Sequence, residues 1–241
     1  RAMRAAAPGK REYEVEAELI HEFCRNGARA PAYGSIVAAG GNACVLHYRE
    51  NNALLRKGDL MLIDAGCELD SYAADITRTF PIGGRFSAAQ RDIYELVLAS
   101  QEAAIRAVKP GAPFIAYHDA ATRVLVRGLI DLKLCKGSVD KVLEDGSYKQ
   151  FYMHRTGHWL GLDVHDAGDY MIKGKWRDLE PGMVLTVEPG LYFRPADNVP
   201  KAFWNIGVRI EDDVLVTPRG REILTAECPK TVADVEAAVR G

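Results

Sequence analysis

An α+β fold is predicted for this chain by three observations. Strand-like apolar runs fall in two blocks, one from Ser35 to Phe80 and one from His154 onward. Two long helical patterns separate the blocks, and a single helical pattern lies at each end of the chain. A length of 241 residues suffices for one large domain or two fused halves, and the element order is compatible with two similar halves.

The elements follow in order. Residues 12–27 (EYEVEAELIHEFCRNG) space their apolar side chains helically and stop at Gly27. SIVAAG, NACVLHY, DLMLIDAGC and AADITRTF then read as strands, separated by Gly, Asn and Asp. Ser87-Ala-Ala-Gln90 is an S-x-x-Q capping box that opens a helix running to about Val108. Lys109-Pro110-Gly111 breaks it, and a second helix is expected near 113–134. The polar stretch 136–150 reads as a connection. Strand character returns in HWLGLDVH, GMVLTVEPGLYF and NIGVRIEDDVLVT, and a short helix at about 230–240 closes the chain.

Composition narrows the class. Hydrophobic residues at 48% and charged residues at 27% are ordinary for a soluble globular protein. A net charge of −2 gives no reason to expect nucleic acid or an anionic membrane as partner. The longest stretch without Asp, Glu, Lys or Arg, Ala30 to Tyr48, contains Pro31, Asn42 and His47 and does not read as a membrane helix. No signal peptide is visible. The five cysteines are odd in number and far apart, with no CxxC pair, so reduced thiols and a cytoplasmic location are expected. The first residues, RAMRAAAPGK, lack an initiator methionine and leave open that the chain is a piece of a longer protein.

The stretch IDAGCELDSYAADITRTF places Asp64 and Asp75 on strands that otherwise look buried. A two-residue turn at Leu69-Asp70 would make the two aspartates direct cross-strand partners, with Cβ atoms roughly 4.5–5.5 Å apart. Ile63 would then pair with Ile76 on the other face. Two ionised acids that close repel by about 4 kcal/mol at an effective dielectric near 20. A shared proton, a basic partner or a metal could offset this, and solvation of both acids at an open turn is the plainer alternative. The remaining acids favour a site. Glu188 follows the apolar run MVLTV, and Glu211 ends GVRIE, sharing a strand face with Arg209. His158 lies in HRTGHWLGLDVHD. Hard oxygen ligands with one imidazole suit Mn2+, Co2+, Fe2+ or Zn2+ in a paired site. No HExxH, P-loop, GxGxxG or GxSxG motif competes.

At these residues the chain resembles the catalytic domains of the Xaa-Pro aminopeptidase (aminopeptidase P) family, which is shared with prolidase and methionine aminopeptidase. The matching strings are IDAGCELDSYAADITRTFPIGGRFS, HRTGHWLGLDVHDAGDY, LEPGMVLTVEPGLYF and GVRIEDDVLVT, in that order. The resemblance implies a pita-bread fold, with two pseudo-symmetric α/β halves around a curved antiparallel sheet. Residues 1–241 are then expected to form a single catalytic domain, without the N-terminal domain such proteins usually carry. It implies two divalent metal ions, manganese first, with Asp64 on one, His158 and Glu188 on the other, and Asp75 and Glu211 bridging. It also implies release of an N-terminal residue from peptides with proline second, by attack of a metal-bridging hydroxide. Glu188 would shuttle the proton, and His47 and His165 would hydrogen-bond substrate and oxyanion. His154, Tyr192 and Arg209 would line the proline pocket, Arg209 also as a salt-bridge partner for a ligand, and Thr77 would support Asp75. His21 and His118 are expected to be structural. A homo-oligomer is compatible with the family. An Xaa-Pro dipeptidase is the nearest alternative, and a non-catalytic pita-bread binding module, which typically loses ligands, is more distant.

Overall fold

The structure is a computed structural model describing residues 1–241. Six α-helices are present: α1 (Ala2–Ala5), α2 (Glu12–Arg25), α3 (Ala88–Ala107), α4 (Ile115–Asp131), α5 (Val139–Asp145) and α6 (Val232–Arg240). The first strand block holds β1 (Ala30–Pro31), β2 (Ile36–Ala39), β3 (Leu60–Asp64), β4 (Cys67–Leu69), β5 (Tyr72–Ala73) and β6 (Thr77–Pro81). The second holds β7 (Met171–Ile172), β8 (Lys175–Trp176), β9 (Val184–Val187), β10 (Gly190–Phe193), β11 (Ile206–Arg209), β12 (Asp212–Thr217) and β13 (Gly220–Ile223). All pairings are antiparallel, in the orders β2-β3-β6, β13-β12-β9, β10-β11, β1-β4-β5 and β7-β8. No helix is long and apolar enough to cross a membrane.

Local chemistry sets the helix ends. The Gln90 amide donates to Ser87 Oγ at 3.3 Å and the Ser87 amide to Gln90 Oε1 at 2.9 Å, the reciprocal box read from the sequence. Gly27 leaves α2 at φ +98°, a left-handed turn that glycine adopts without strain. Helices α3 and α4 then cover the sheets. Ile93, Val97, Leu125 and Leu129 share the main core with Met61, Phe80 and Val208. A second core gathers Phe114, Tyr117, Trp159, Leu185 and Val214. Along β3, Met61 and Ile63 enter the main core, whereas Leu62 packs in a separate cluster with Tyr48 and Tyr192. Asp64, two residues on, therefore shares the Leu62 side.

The hairpin differs from its sequence reading by one step. Leu69 pairs with Tyr72 and Asp64 with Thr77, so Asp64 does not face Asp75 directly and Ile63 pairs with Arg78 rather than Ile76. The turn is Asp70-Ser71, both at positive φ (51° and 66°), the twist that tight hairpins prefer. The shift preserves parity, so Asp75 keeps the face of Thr77 and of Asp64 and lies on a diagonal. In the same register Gly66 stands opposite Asp75, and a Cβ there would lie 1.6 Å from the Ala74 carbonyl oxygen.

Three further expectations need correction. NACVLHY is not a strand: Gly40–Cys44 is a 3-10 turn, because the buried Glu12 carboxylate takes the Ala39 amide at 2.7 Å and the Asn42 amide group at 3.0 Å. The stretch 136–150 contains α5, capped by Ser138 and ended by Gly146 at φ +70°. HWLGLDVH forms no regular strand, yet it runs beside β9 through Glu188 N to Thr156 O (2.7 Å), Thr186 N to His158 O (3.0 Å) and Leu160 N to Val184 O (3.1 Å). A Cβ on Gly157 would meet the Thr186 carbonyl at 1.9 Å, so this close approach requires glycine.

A buried polar node centred on Asp212 helps tie the two strand blocks together. Asp212 accepts from Arg78 at 2.7 Å, Lys230 at 2.7 Å, Gln101 at 2.7 Å and the Thr225 hydroxyl at 2.9 Å. Burial alone would raise the Asp212 carboxyl, but Arg78 and Lys230 outweigh it and hold the group below its ordinary value. Replacing Asp212 with alanine strands Arg78 without its partner, and urea unfolding of the variant is expected to show a loss of about 3–5 kcal/mol. A loss near zero would show that the node contributes nothing net.

Candidate metal centre

The four acids and one imidazole singled out in the sequence arrive from different elements. Asp64 ends β3, Asp75 precedes β6, Glu188 follows β9, and Glu211 occupies the gap between β11 and β12. His158 sits on the segment beside β9. The structure brings Asp75, His158 and Glu211 together, with one ligand atom from each within 4.8 Å of the others. His158 Nε2 lies 3.4 Å from Asp75 Oδ2 and 3.6 Å from Glu188 Oε1. Asp64 is joined to Asp75 through the Tyr33 hydroxyl, which contacts one oxygen of each.

These acids are out of water, Glu211 being 1% exposed and Asp75 5%. Burial first, and then the neighbouring carboxylates Asp75, Glu188 and Asp64, push Glu211 well above the usual carboxylate range. Burial also raises Asp75, and it pushes Glu188 up to about 7. His158 moves the other way from what burial would impose: Asp75 and Glu188 raise it to about 9. The metal-free cluster thus keeps protons on acids and imidazole alike. A hydroxyl carries one proton, so Tyr33 can donate to only one of its two carboxylates at a time.

The supports are equally specific. His158 Nδ1 lies 2.9 Å from the Trp159 carbonyl, which fixes the ring and turns Nε2 toward the acids, as a metal-binding imidazole requires. Thr77 Oγ1 donates to Glu211 Oε2 at 2.6 Å, and Arg209 Nε reaches the same hydroxyl at 3.2 Å. Arg209 also donates to Asp64 Oδ2 at 2.6 Å and to the Tyr192 hydroxyl at 3.0 Å. Tyr192 lies 2.9 Å from His154 Nε2, and His154 Nδ1 lies 2.7 Å from the Arg155 carbonyl. Burial and Arg209 push His154 down to about 3. Its Nδ1–H therefore donates to the carbonyl, and its Nε2 accepts from Tyr192.

A cavity of about 490 Å³ opens over the cluster, with Asp64, Asp75, His158, Glu188, Arg209 and Glu211 at its polar wall. His47, His154 and His165 also face it. His165 packs edge-on to His158 with ring centroids 4.2 Å apart. Tyr192 is 1% exposed and stands behind Arg209 and His154, where its hydroxyl props two residues that line the cavity. His118 bonds Thr156 Oγ1 at 2.9 Å, away from this cavity. Sequence reasoning missed Tyr33, which stands alone in PAYGS with no pattern to mark it. It also missed Asp213, whose carboxylate accepts the Asp75 amide at 3.2 Å.

The donor set fits divalent cations. Buried carboxylates whose hold on protons is raised by burial and by one another, together with an aimed imidazole, are groups from which hard or borderline dications displace protons.

Known proteins share this frame. The family model for metallopeptidase family M24 matches residues 1–218. The chain is 54% identical over 98% of its length to the Xaa-Pro aminopeptidase of Haemophilus influenzae and 50% identical over 98% to that of Escherichia coli, covering 55% and 54% of those proteins. It superposes on the solved structure of Pseudomonas aeruginosa aminopeptidase PepP with a TM-score of 0.98 at 57% identity, covering 100% of this chain and 55% of that one. A variant of Escherichia coli aminopeptidase P in complex with substrate gives 0.96 at 49%, over 100% of this chain and 54% of that one. The chain spans about half the length of these relatives. Its fold is the pita-bread fold of such catalytic domains, as the resemblance implied.

The charge state of the cluster has a measurable consequence. His158, raised from 6.5 to about 9, and Asp213, raised to about 8 chiefly by burial, bind protons in the folded state that the unfolded chain has released. The metal-free fold therefore loses stability as pH climbs from about 6.5 to 9. Below that window His154 and His118, held down at about 3 and 4, act in the opposite sense. Thermal unfolding of metal-free protein is expected to show a Tm that falls from pH 6.5 to 9, and a Tm gain on adding manganese that widens over the same range. A Tm independent of pH across that window would refute the charge assignment.

Proposed function

Because this chain belongs to metallopeptidase family M24, we propose that it is the catalytic domain of an Xaa-Pro aminopeptidase, releasing the first residue of peptides with proline second. The observation that carries this reading is the meeting of Asp64, Asp75, His158, Glu188 and Glu211 at one cavity of about 490 Å³, a size suited to a short peptide. The names of the similar proteins support the substrate class.

Two divalent cations, manganese first and cobalt, zinc or iron as alternatives, would be held by Asp64 on one side, by His158 and Glu188 on the other, and by Asp75 and Glu211 between them. When bound they supply a water of lowered pKa and polarise the scissile carbonyl. The chain's own groups do the rest. Glu188 faces the cavity and moves a proton from the attacking water toward the departing imide nitrogen. His165, kept neutral because burial and His158 lower it, donates with His47 to the oxygen on which charge develops. Arg209 fixes Asp64 and, through Tyr192, the uncharged face of His154.

That face suits a pyrrolidine ring. Proline offers no N–H and holds φ near −65°, so a general peptidase loses a hydrogen bond and meets a clash. A pocket of neutral imidazole instead gains apolar contact. Five unpaired cysteines support a cytoplasmic setting for the protein.

Asp75→Ala is expected to abolish hydrolysis of Xaa-Pro-Yaa peptides and metal uptake together. Its unfolding free energy should fall by less than the about 2–5 kcal/mol of a core truncation, since an uncompensated acid is removed. Hydrolysis and metal content measured on the same preparation check this, and retained turnover would contradict the shared-ligand role. Wild-type protein is expected to cleave Xaa-Pro-Yaa as well as Xaa-Pro; turnover of the dipeptide alone would make it a dipeptidase.

A further inference from the structure

The cavity contains a second cation that the metal chemistry does not use. Arg209 is spent on Asp64 and Tyr192. Arg155 also lines the cavity, yet no carboxylate pairs with it, and its guanidinium sits 4.9 Å from the centre of the Trp176 ring. Once dications neutralise the acid cluster, Arg155 is an uncompensated positive charge facing the substrate.

Its setting is rigid. The Arg155 carbonyl is held by His154 Nδ1, and the next residue, Thr156, is bound by Tyr152 at 2.6 Å, His118 at 2.9 Å and the Glu188 amide at 2.7 Å. Trp176 stacks on Phe114 with ring centroids 6.3 Å apart and planes 21° apart, and the Phe114 amide bonds the Arg177 carbonyl at 2.8 Å. An aromatic plate under a guanidinium presents the fork to a ligand at little entropic cost.

The position follows from the proposed reaction, on which this inference rests. The substrate amine and scissile bond lie at the acid cluster, and Arg155 adjoins His154, beside the expected proline ring. An extended tripeptide spans roughly 10 Å, so its carboxyl end reaches past the proline. We propose that Arg155, seated on Trp176, recognises a carboxylate beyond the proline and biases the enzyme toward short or acidic peptides. The carboxylate is either the C-terminus of a tripeptide or the side chain of an acidic third residue.

Steady-state hydrolysis by the metal-loaded protein tests this with two peptide pairs. Ala-Pro-Leu against its C-terminal amide probes the terminus, and Ala-Pro-Asp-amide against Ala-Pro-Asn-amide probes the side chain. The wild type is expected to favour the carboxylate member of at least one pair about tenfold in kcat/KM, through KM, as a charge-assisted hydrogen bond allows. The pair that responds identifies the source. Arg155→Met, which keeps a stem over Trp176, is expected to bring the ratio to about one, and Arg155→Lys to restore part of it. A wild-type ratio of one in both pairs, or a preference that survives in Arg155→Met, overturns the proposal. Should no peptide be cleaved, the same ratios are read as Kd by calorimetry. A carboxylate preference lost in Arg155→Met then upholds the subsite while the hydrolase reading falls, and its absence ends both.

Discussion

Four carboxylates and an imidazole share one largely buried pocket at the seam of the two strand blocks, and the surrounding architecture answers to that crowding. At an effective dielectric near 20 a single contact pair of like charges costs about 4 kcal/mol, too much for a fold with ordinary net stability of about 5–15 kcal/mol to carry several times. Without cations the protein meets the cost with protons: Glu188 and Glu211 are raised by burial and by their neighbours, and His158 stays charged against them. In the proposed metal-loaded protein the same groups would serve as ligands, held by partners outside the pocket.

Those partners do double work. Thr77 pairs with Asp64 through the strand backbone, and its hydroxyl donates to Glu211 and accepts from Arg209, so one residue relates three functional groups. Arg78, on the opposite face, grips the backbone of Thr77 and the Asp212 carboxylate, which holds the first block to the second where Glu211 emerges. The Asp75 amide reaches Asp213. The four acids therefore belong to a crossing of the two strand blocks rather than to either one, and a shift in one block moves the acids of both.

Much of this was legible in the sequence, for reasons that particular residues make plain. Asp64, Asp75, Glu188 and Glu211 stood out because acids beside apolar strands violate the pattern that burial imposes, and the capping box at Ser87 marks its helix by chemistry alone. Parity survived an error in the turn: reading Leu69-Asp70 instead of Asp70-Ser71 moved every partner by two and left each side chain on its proper face. The strand reading of NACVLHY failed because Glu12, far away in sequence, supplies the acceptor that bends it. HWLGLDVH looked like a strand and nearly is one, lying beside β9 but broken by the turn after Leu160. Tyr33, Asp213 and the place of Arg155 on the cavity wall were invisible in the sequence, since only three-dimensional neighbours distinguish them from a loop tyrosine, a rim acid and a surface cation.

The most direct test of the claim that paired dications make this pocket tolerable is anomalous diffraction from crystals of the manganese-replete protein. Two manganese peaks inside the pocket are expected, with Asp75 and Glu211 each coordinating both and the Tyr33 hydroxyl no longer shared between Asp64 and Asp75. Manganese bound elsewhere, or a pocket that keeps its acids protonated and metal-free in saturating manganese, would contradict it.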